Sequence, residues 1–162
     1  MHEDARQERL RKALGRYPTG VTIVAASRDD GEPAGLTVNT FTSVSLDPPL
    51  ILWCLSNSAG SRPVLEAADH FGVSILERSQ DWISTRLAQP TEDKFAGVPW
   101  YRDAHGVPLI DGAVATITCR RFEHHPAGDH IILIGEVIDW QERGGDPLVY
   151  LGGAYRVAVR PG

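Results

Sequence analysis

The sequence predicts a mostly β domain, folded as a closed or nearly closed barrel with short helices between its strands. Three observations lead there. Short β-branched and apolar runs recur along the chain, among them Gly20–Ser27 (GVTIVAAS), Leu50–Leu55 (LILWCL) and Ile131–Trp140, and clusters of Gly, Pro, Asp and Ser separate them. Runs as continuous as LILWCL suit strands that face a barrel interior on one side and are covered on the other. Closure would also remove exposed sheet edges. At 162 residues the chain has the length of one domain, expected to span 1–162 with a helix over 1–16 and the barrel over 17–160.

From Glu3 to Arg16 the apolar residues Ala5, Leu10, Ala13 and Leu14 fall at helical spacing, so a surface helix is expected to end at Gly15. After Pro18 the texture turns to β. Gly20–Ser27 reads as a strand, Arg28–Pro33 (RDDGEP) as a turn, and Ala34 onward as the returning arm of a hairpin. Leu36–Ser45, if extended, places Leu36, Val38, Thr40, Thr42 and Val44 on one face and Thr37, Asn39, Phe41, Ser43 and Ser45 on the other. Leu50–Leu55 follows as a strand. Ser61 then offers an N-cap hydroxyl to a helix with Pro63 in its first turn. Phe71–Leu76 is the next strand, Ser79 precedes a helix over Gln80–Ala88 closed by Pro90, and Ala113–Arg121, Ile131–Trp140 and Leu148–Tyr150 complete the strands.

Composition excludes several functions. The fractions, 42% hydrophobic and 23% charged, are those of an ordinary globular protein, and no apolar run approaches the roughly 20 residues a bilayer-spanning helix needs. Sixteen Lys+Arg against twenty-one Asp+Glu leave a net charge of −5, so no positive field gathers a polyanion, and neither nucleic acid nor a membrane is an expected partner. Cys54 and Cys119 stand far apart without ligand spacing, which suits a reducing compartment. The charged N-terminus lacks the apolar core of a secretory signal, so a cytoplasmic location is expected.

Three places carry candidate chemistry. The Thr37/Asn39/Ser43 face is a row of hydrogen-bonding groups that would suit a flat heteroaromatic ligand with donors and acceptors on its rim, although periodicity alone favours a solvated strand rich in Thr and Ser. Ser56–Pro63 (SNSAGSRP) joins a strand to a helix start. There Asn57, Ser58, Ser61 and the charge of Arg62 could receive a phosphate, or Ser61 could simply be a cap. His130 follows the turn Pro126–Asp129 at the mouth of an apolar strand, where it could meet a ligand or stand exposed. A metal set of His124, His125, Asp129 and His130 is disfavoured, because adjacent residues on a strand point to opposite faces.

These residues resemble the short-chain NAD(P)H:flavin oxidoreductases, the small reductases that serve two-component flavin-dependent monooxygenases. The matching segments are Pro18–Val24 (PTGVTIV), Gly35–Pro49 ending in Ser45–Pro49 (SLDPP), Phe71–Leu76, Lys94–Phe95, Gly128–Ile131 (GDHI), Ile134–Val137 (IGEV) and Pro147–Tyr155 (PLVYLGGAY). The resemblance implies an FMN-binding split β-barrel with Greek-key-like order, a homodimer, FMN or FAD bound near the interface, and NADH or NADPH as co-substrate. It implies that Thr37, Val38, Asn39 and Thr40 line the isoalloxazine ring and that Asn57, Ser58 and Ser61 form the phosphate turn. It also implies that His130 positions the nicotinamide and that Tyr155 approaches the same pocket. Between Ser79 and Thr91 the chain departs from the family pattern, with Arg86-Leu87-Ala88 where a Phe-Ala pair is common, so the resemblance assigns no cofactor contact to that stretch.

No GxGxxG fingerprint is present. A Rossmann domain would hold the pyridine nucleotide on its own helix N-terminus, whereas one small barrel must stack nicotinamide and flavin in a single groove. Hydride transfer there depends on positioning, so no side chain need act as acid or base. The expected activity is NAD(P)H-dependent flavin reduction, with reduced flavin passed to a partner monooxygenase. A reductase that retains FMN for a small organic substrate, and a non-catalytic flavin-binding redox module, are the alternatives.

Overall fold

The computed structural model describes residues 2–162. In chain order the elements are α1 (His2–Leu14), β1 (Thr19–Gly20), β2 (Thr22–Ser27), β3 (Pro33–Val38), β4 (Thr42–Leu46), β5 (Pro49–Ser56), α2 (Arg62–Ala67) and β6 (His70–Ile75). After a 3₁₀ turn, Arg78–Gln80, come α3 (Asp81–Leu87), β7 (Trp100–Arg102), β8 (Pro108–Ile110), β9 (Ala115–Ala127), β10 (His130–Glu142), β11 (Leu148–Leu151) and β12 (Ala154–Val157).

Seven strands form one antiparallel sheet in the order β3-β2-β6-β9-β10-β5-β4. A three-stranded sheet, β1-β11-β12, and the β7–β8 hairpin accompany it. The large sheet curls without closing. Its ends, β3 and β4, are consecutive in sequence yet unpaired, so of the closed or nearly closed barrel expected the open form is found, and the single strand expected over Leu36–Ser45 is corrected to two. The backbone leaves the extended form at Asn39–Phe41, so β3 pairs with β2 while β4 pairs with β5. The alternation expected through that stretch therefore stops at the corner. Just ahead of β4, the Thr40 hydroxyl takes the place of a strand partner, accepting a 2.9 Å bond from the Cys54 N–H.

Two apolar clusters lie on opposite sides of β2. Val24 and Ala26 face the inside of the curled sheet with Trp53, Leu55, Phe71, Val73, Ile131 and Leu133. Val21, Ile23 and Ala25 face the other way, under Ile83 and Leu87 of α3, Phe95, Val98, Ile110 and Leu148. Strand β2 is thus buried on both faces. The LILWCL strand is not: Ile51, Trp53 and Leu55 are buried, but Leu50, Leu52 and Cys54 are only partly covered. The covering layer expected over it lies over β2 instead.

Strand pairing also explains two glycines. At the β9–β10 irregularity, a Cβ on Gly135 would lie 2.5 Å from the Phe71 ring and 2.8 Å from the Cys119 Cβ, so only glycine lets these strands pass. Gly128, at φ +63°, makes the tight β9–β10 turn with Asp129.

The remaining corrections concern helix starts and missed strands. The α3 region is capped by Glu77, which accepts from the Ser79 N–H at 2.7 Å while the Gln80 side chain accepts from the Glu77 N–H at 3.0 Å. Ser79 is therefore held by a cap and is not one, because a carboxylate two residues earlier outcompetes its hydroxyl. β9 runs on through Ala127, and β1, β4, β7, β8 and β12 went unforeseen as separate strands. Among the described residues, no helix is long and apolar enough to cross a membrane.

Candidate functional site

Strand β10 begins where β5 ends. His130 pairs with Ser56, and the Asn57 N–H donates to the Asp129 carbonyl at 2.9 Å, so the Ser56–Pro63 turn and the Gly128–His130 turn form one rim. The Asn57 side chain reaches the Gly128 carbonyl at 3.4 Å. The Ser56 and Ser58 hydroxyls lie 3.0 Å apart. The half-exposed His130 ring places Nδ1 2.7 Å from the Asp129 carboxylate. That hydrogen bond, reinforced by the ring's charge, holds the Asp129 carboxyl below its usual range, and the bond leaves Nε2 as the ring nitrogen without this partner.

Ser61 differs from its sequence reading. It sits at the α2 N-cap, but with φ −81° and ψ −5° its side chain makes no cap bond. An N-cap hydroxyl reaches the helix from extended backbone, and these dihedrals are helical. Its Oγ is buried without a partner. A buried hydroxyl left unbonded costs free energy, and an acceptor or donor from outside the chain would relieve that cost. Arg62 is less available than expected: its guanidinium is bound to Glu66 at 2.9 Å and to the Asn57 carbonyl at 3.3 Å. Its charge is already partnered.

A second group gathers on the far side of the corner. The Thr37 hydroxyl donates to the Ser84 carbonyl at 2.6 Å, and the Ser84 hydroxyl lies 2.7 Å from the Tyr155 phenol oxygen. Three separated segments meet there: β3, α3 and β12. Val38 is a core residue, 4% exposed, whose carbonyl accepts from Thr22 at 2.8 Å. Its side chain is spent on the interior, so the expected ring contact there is restricted to backbone. Asn39 is exposed at the corner and, with Tyr17, Thr19 and Tyr150, borders a cavity of about 250 Å³ beside the end of α1.

The structure thus brings Asn57, Ser58 and His130 to one rim and joins Thr37 to Tyr155 through Ser84. Thr40 stands between the groups, bonded to Cys54 two residues before Ser56. Ser84 was missed in the sequence because it lies where the family pattern breaks, and a serine in a short helix carries no periodic signal. His124 and His125 lie on β9, as expected on opposite faces, with His125 Nε2 2.9 Å from Glu123.

The model of the flavin reductase like domain matches residues 14–158. The chain belongs to this family. Among relatives of these flavin reductase-like proteins, the NADH-dependent FMN reductase SmoA of Agrobacterium fabrum is 45% identical over 146 residues, covering 90% of this chain and 83% of the relative. The reductase component of the flavin-dependent trigonelline monooxygenase of Acinetobacter baylyi is 41% identical over 90% of this chain. This chain spans 47% of that longer protein. Among solved structures, the NADH:FAD oxidoreductase SgcE6 of Streptomyces globisporus, in complex with NAD and FAD fragments, superposes with a TM-score of 0.89 at 38% identity, over 96% of this chain and 93% of that one. The fold of this chain accordingly matches that of a solved flavin reductase.

Proposed function

We propose that this chain acts, as one flavin reductase-like domain, to reduce FMN or FAD with NADH and to supply the product to a separate monooxygenase in the cytoplasm. The buried, unpartnered Ser61 hydroxyl carries the reading, because it is a polar group in search of a ligand on the rim where His130 stands. The relatives' names give the chemical class. Bound flavin supplies the electron acceptor.

The chain's own residues do the rest. Ser61, with the Asn57–Ser58 turn, holds a phosphate oxygen. Thr37, Asn39 and Thr40, with the Val38 backbone, border the ring at the corner between β3 and β4. His130 presents Nε2 to the nicotinamide while Asp129 fixes the ring through Nδ1, the arrangement by which a carboxylate sets an imidazole's orientation. Positioning of two planar rings in one groove supplies most of the rate.

A second copy covers the groove. The outer face of β5 and β10 presents half-covered Leu50, Leu52, Ile132 and Ile134, and the neighbouring strands β4 and β9 carry exposed Val44, Leu46 and Phe122. An apolar face of that extent on a soluble chain marks an interface, and a twofold pair is the commonest solution. Sedimentation should give about twice 17.7 kDa.

The deciding experiment mixes the purified protein with NADH and excess FMN and follows nicotinamide absorbance. Sustained, flavin-dependent oxidation of NADH is expected. A single stoichiometric turnover would mean retained flavin and a different acceptor. Flavin binding without any turnover would reduce the chain to a binding module.

A further inference from the structure

Ser84 is fully buried, yet its carbonyl and its hydroxyl are both used, the first by Thr37, which the proposed function places at the flavin ring, and the second by Tyr155, which the family resemblance places at the same pocket as His130. Its carbonyl accepts from Thr37 at 2.6 Å and its hydroxyl meets the Tyr155 phenol at 2.7 Å, with Thr85 Oγ1 a further 3.5 Å contact to the same phenol. The helix carrying it is held from the other side. Ile83 and Leu87 are buried beneath it, Arg86 donates to the carbonyls of Lys94 and Asp93, and Lys94 Nζ donates back to the Leu87 carbonyl at 3.2 Å. That last contact puts a cation at the helix C-terminus, where it is favoured.

We infer that Ser84 is a positioning residue: its hydroxyl sets the Tyr155 phenol on the nicotinamide side of the groove, while its carbonyl independently anchors Thr37 on the flavin side. Tyr155 is half-exposed on a C-terminal strand that pairs only with β11 in its sheet, so strand pairing by itself leaves the phenol free to turn. The bond to a fully buried hydroxyl on a clamped helix removes that freedom. A purely structural serine would serve equally well at this point, and the two roles differ in what they move. Loss of a structural hydroxyl lowers the melting temperature alone, whereas loss of a positioning hydroxyl changes KM for NADH.

The inference rests on the proposed function, and the geometry makes it separable from that reading. Because Thr37 bonds to a backbone carbonyl, Ser84→Ala cuts the Tyr155 link and leaves the Thr37 link intact. Four proteins are compared with wild type: Ser84→Ala, Tyr155→Phe, the double variant, and Thr37→Val. Ser84→Ala and Tyr155→Phe should each raise KM for NADH by about five- to tenfold, the scale of one hydrogen bond, with kcat and the FMN Kd within about twofold. The double variant should be no worse than the worse single. Thr37→Val should instead weaken FMN. Tyr155→Phe keeps the ring packed on Tyr150, with centroids 5.7 Å apart, so it folds even if Ser84→Ala does not. An unchanged KM in Tyr155→Phe, effects that multiply in the double variant, or a Ser84→Ala that weakens FMN as Thr37→Val does would each overturn the inference while leaving the reductase reading intact. No NADH turnover by the wild type would overturn both.

Discussion

Strands β2 and β5 look alike in sequence, TIVAAS against PLILWCLS, and fold into opposite situations. β2 is buried on both faces, between the curled sheet's interior and the layer of α3 and Ile110. β5 is buried on one face and leaves Leu50, Leu52 and Cys54 partly open. The same division runs through the candidate site. On the β2 side, Thr37, Ser84 and Tyr155 are tied to one another and to the core. On the β5 side, Asn57 is joined to the backbone of the facing turn, Ser58 to Ser56 and the His130 ring to Asp129 beside it, and the Ser61 hydroxyl has no partner. A closed region spends its polar groups on itself, whereas an open one keeps them for a ligand or a second subunit.

The largest expected effect tests the closed side. Leu87→Ala, at a fully buried position under α3, should lose about 2–5 kcal/mol of stability in denaturant unfolding. A loss much below that would mean that the covering layer contributes little, and the contrast with β5 would fail.

On the open rim the effect should be catalytic. His130→Ala should fold with wild-type stability and retain FMN, yet lose about 10- to 100-fold in kcat/KM for NADH, or roughly 1.4–2.7 kcal/mol of transition-state binding. Chelators should leave wild-type turnover unchanged. Normal turnover with poor flavin binding would move His130 to the flavin face.

Ser61→Ala sharpens the contrast further. Because the hydroxyl is buried and unbonded, its removal should leave stability unchanged or slightly higher, while FMN affinity falls by about 1–2 kcal/mol and riboflavin affinity does not. Titrations of both flavins into both proteins measure this. Equal weakening of the two flavins would deny the phosphate contact.

The smallest stability effect belongs to the edge strand β4. Leu46→Asp, at a side chain 92% exposed, should change unfolding free energy by less than about 0.5 kcal/mol yet shift sedimentation of the proposed dimer toward monomer. Thiol chemistry separates the faces in the same way. Burial pushes the Cys119 thiol up to about 12 from 9.0, so it should resist a thiol reagent in the native protein while the partly exposed Cys54 reacts. The folded state holds that proton more tightly. Its stabilising contribution is therefore complete below pH 9.0 and is lost as pH rises toward about 12, a decline that Cys119→Ala should flatten.

Much of this was readable before the structure. The helix ending at Gly15 and the strands around Gly20–Ser27, Leu50–Leu55, Phe71–Leu76 and Ile131–Trp140 were legible because β-branching and turn residues act locally. Asn57, Ser58 and His130 were legible because a polar turn at the end of an apolar strand is a local pattern too. Ser61 was legible as a residue but not in its role, since whether a hydroxyl caps its own helix depends on a backbone angle. The corner at Asn39–Phe41 was hidden, because Thr and Ser alternate through it as they would along one strand. Ser84 was hidden more deeply, as its partners lie 47 and 71 residues away in the chain.

The sequence by itself determined the strand content, the main strand positions, the polar turns at the strand ends and the family, all of which depend on residues within a few positions of one another. Only the tertiary structure decided which apolar strand is covered twice and which once, that the sheet stays open between β3 and β4, and that Thr37 and Tyr155 meet at Ser84. Those outcomes depend on which distant surfaces compete for the same apolar faces and hydrogen bonds. That competition is resolved by packing across the whole chain and leaves no periodic trace in any one segment.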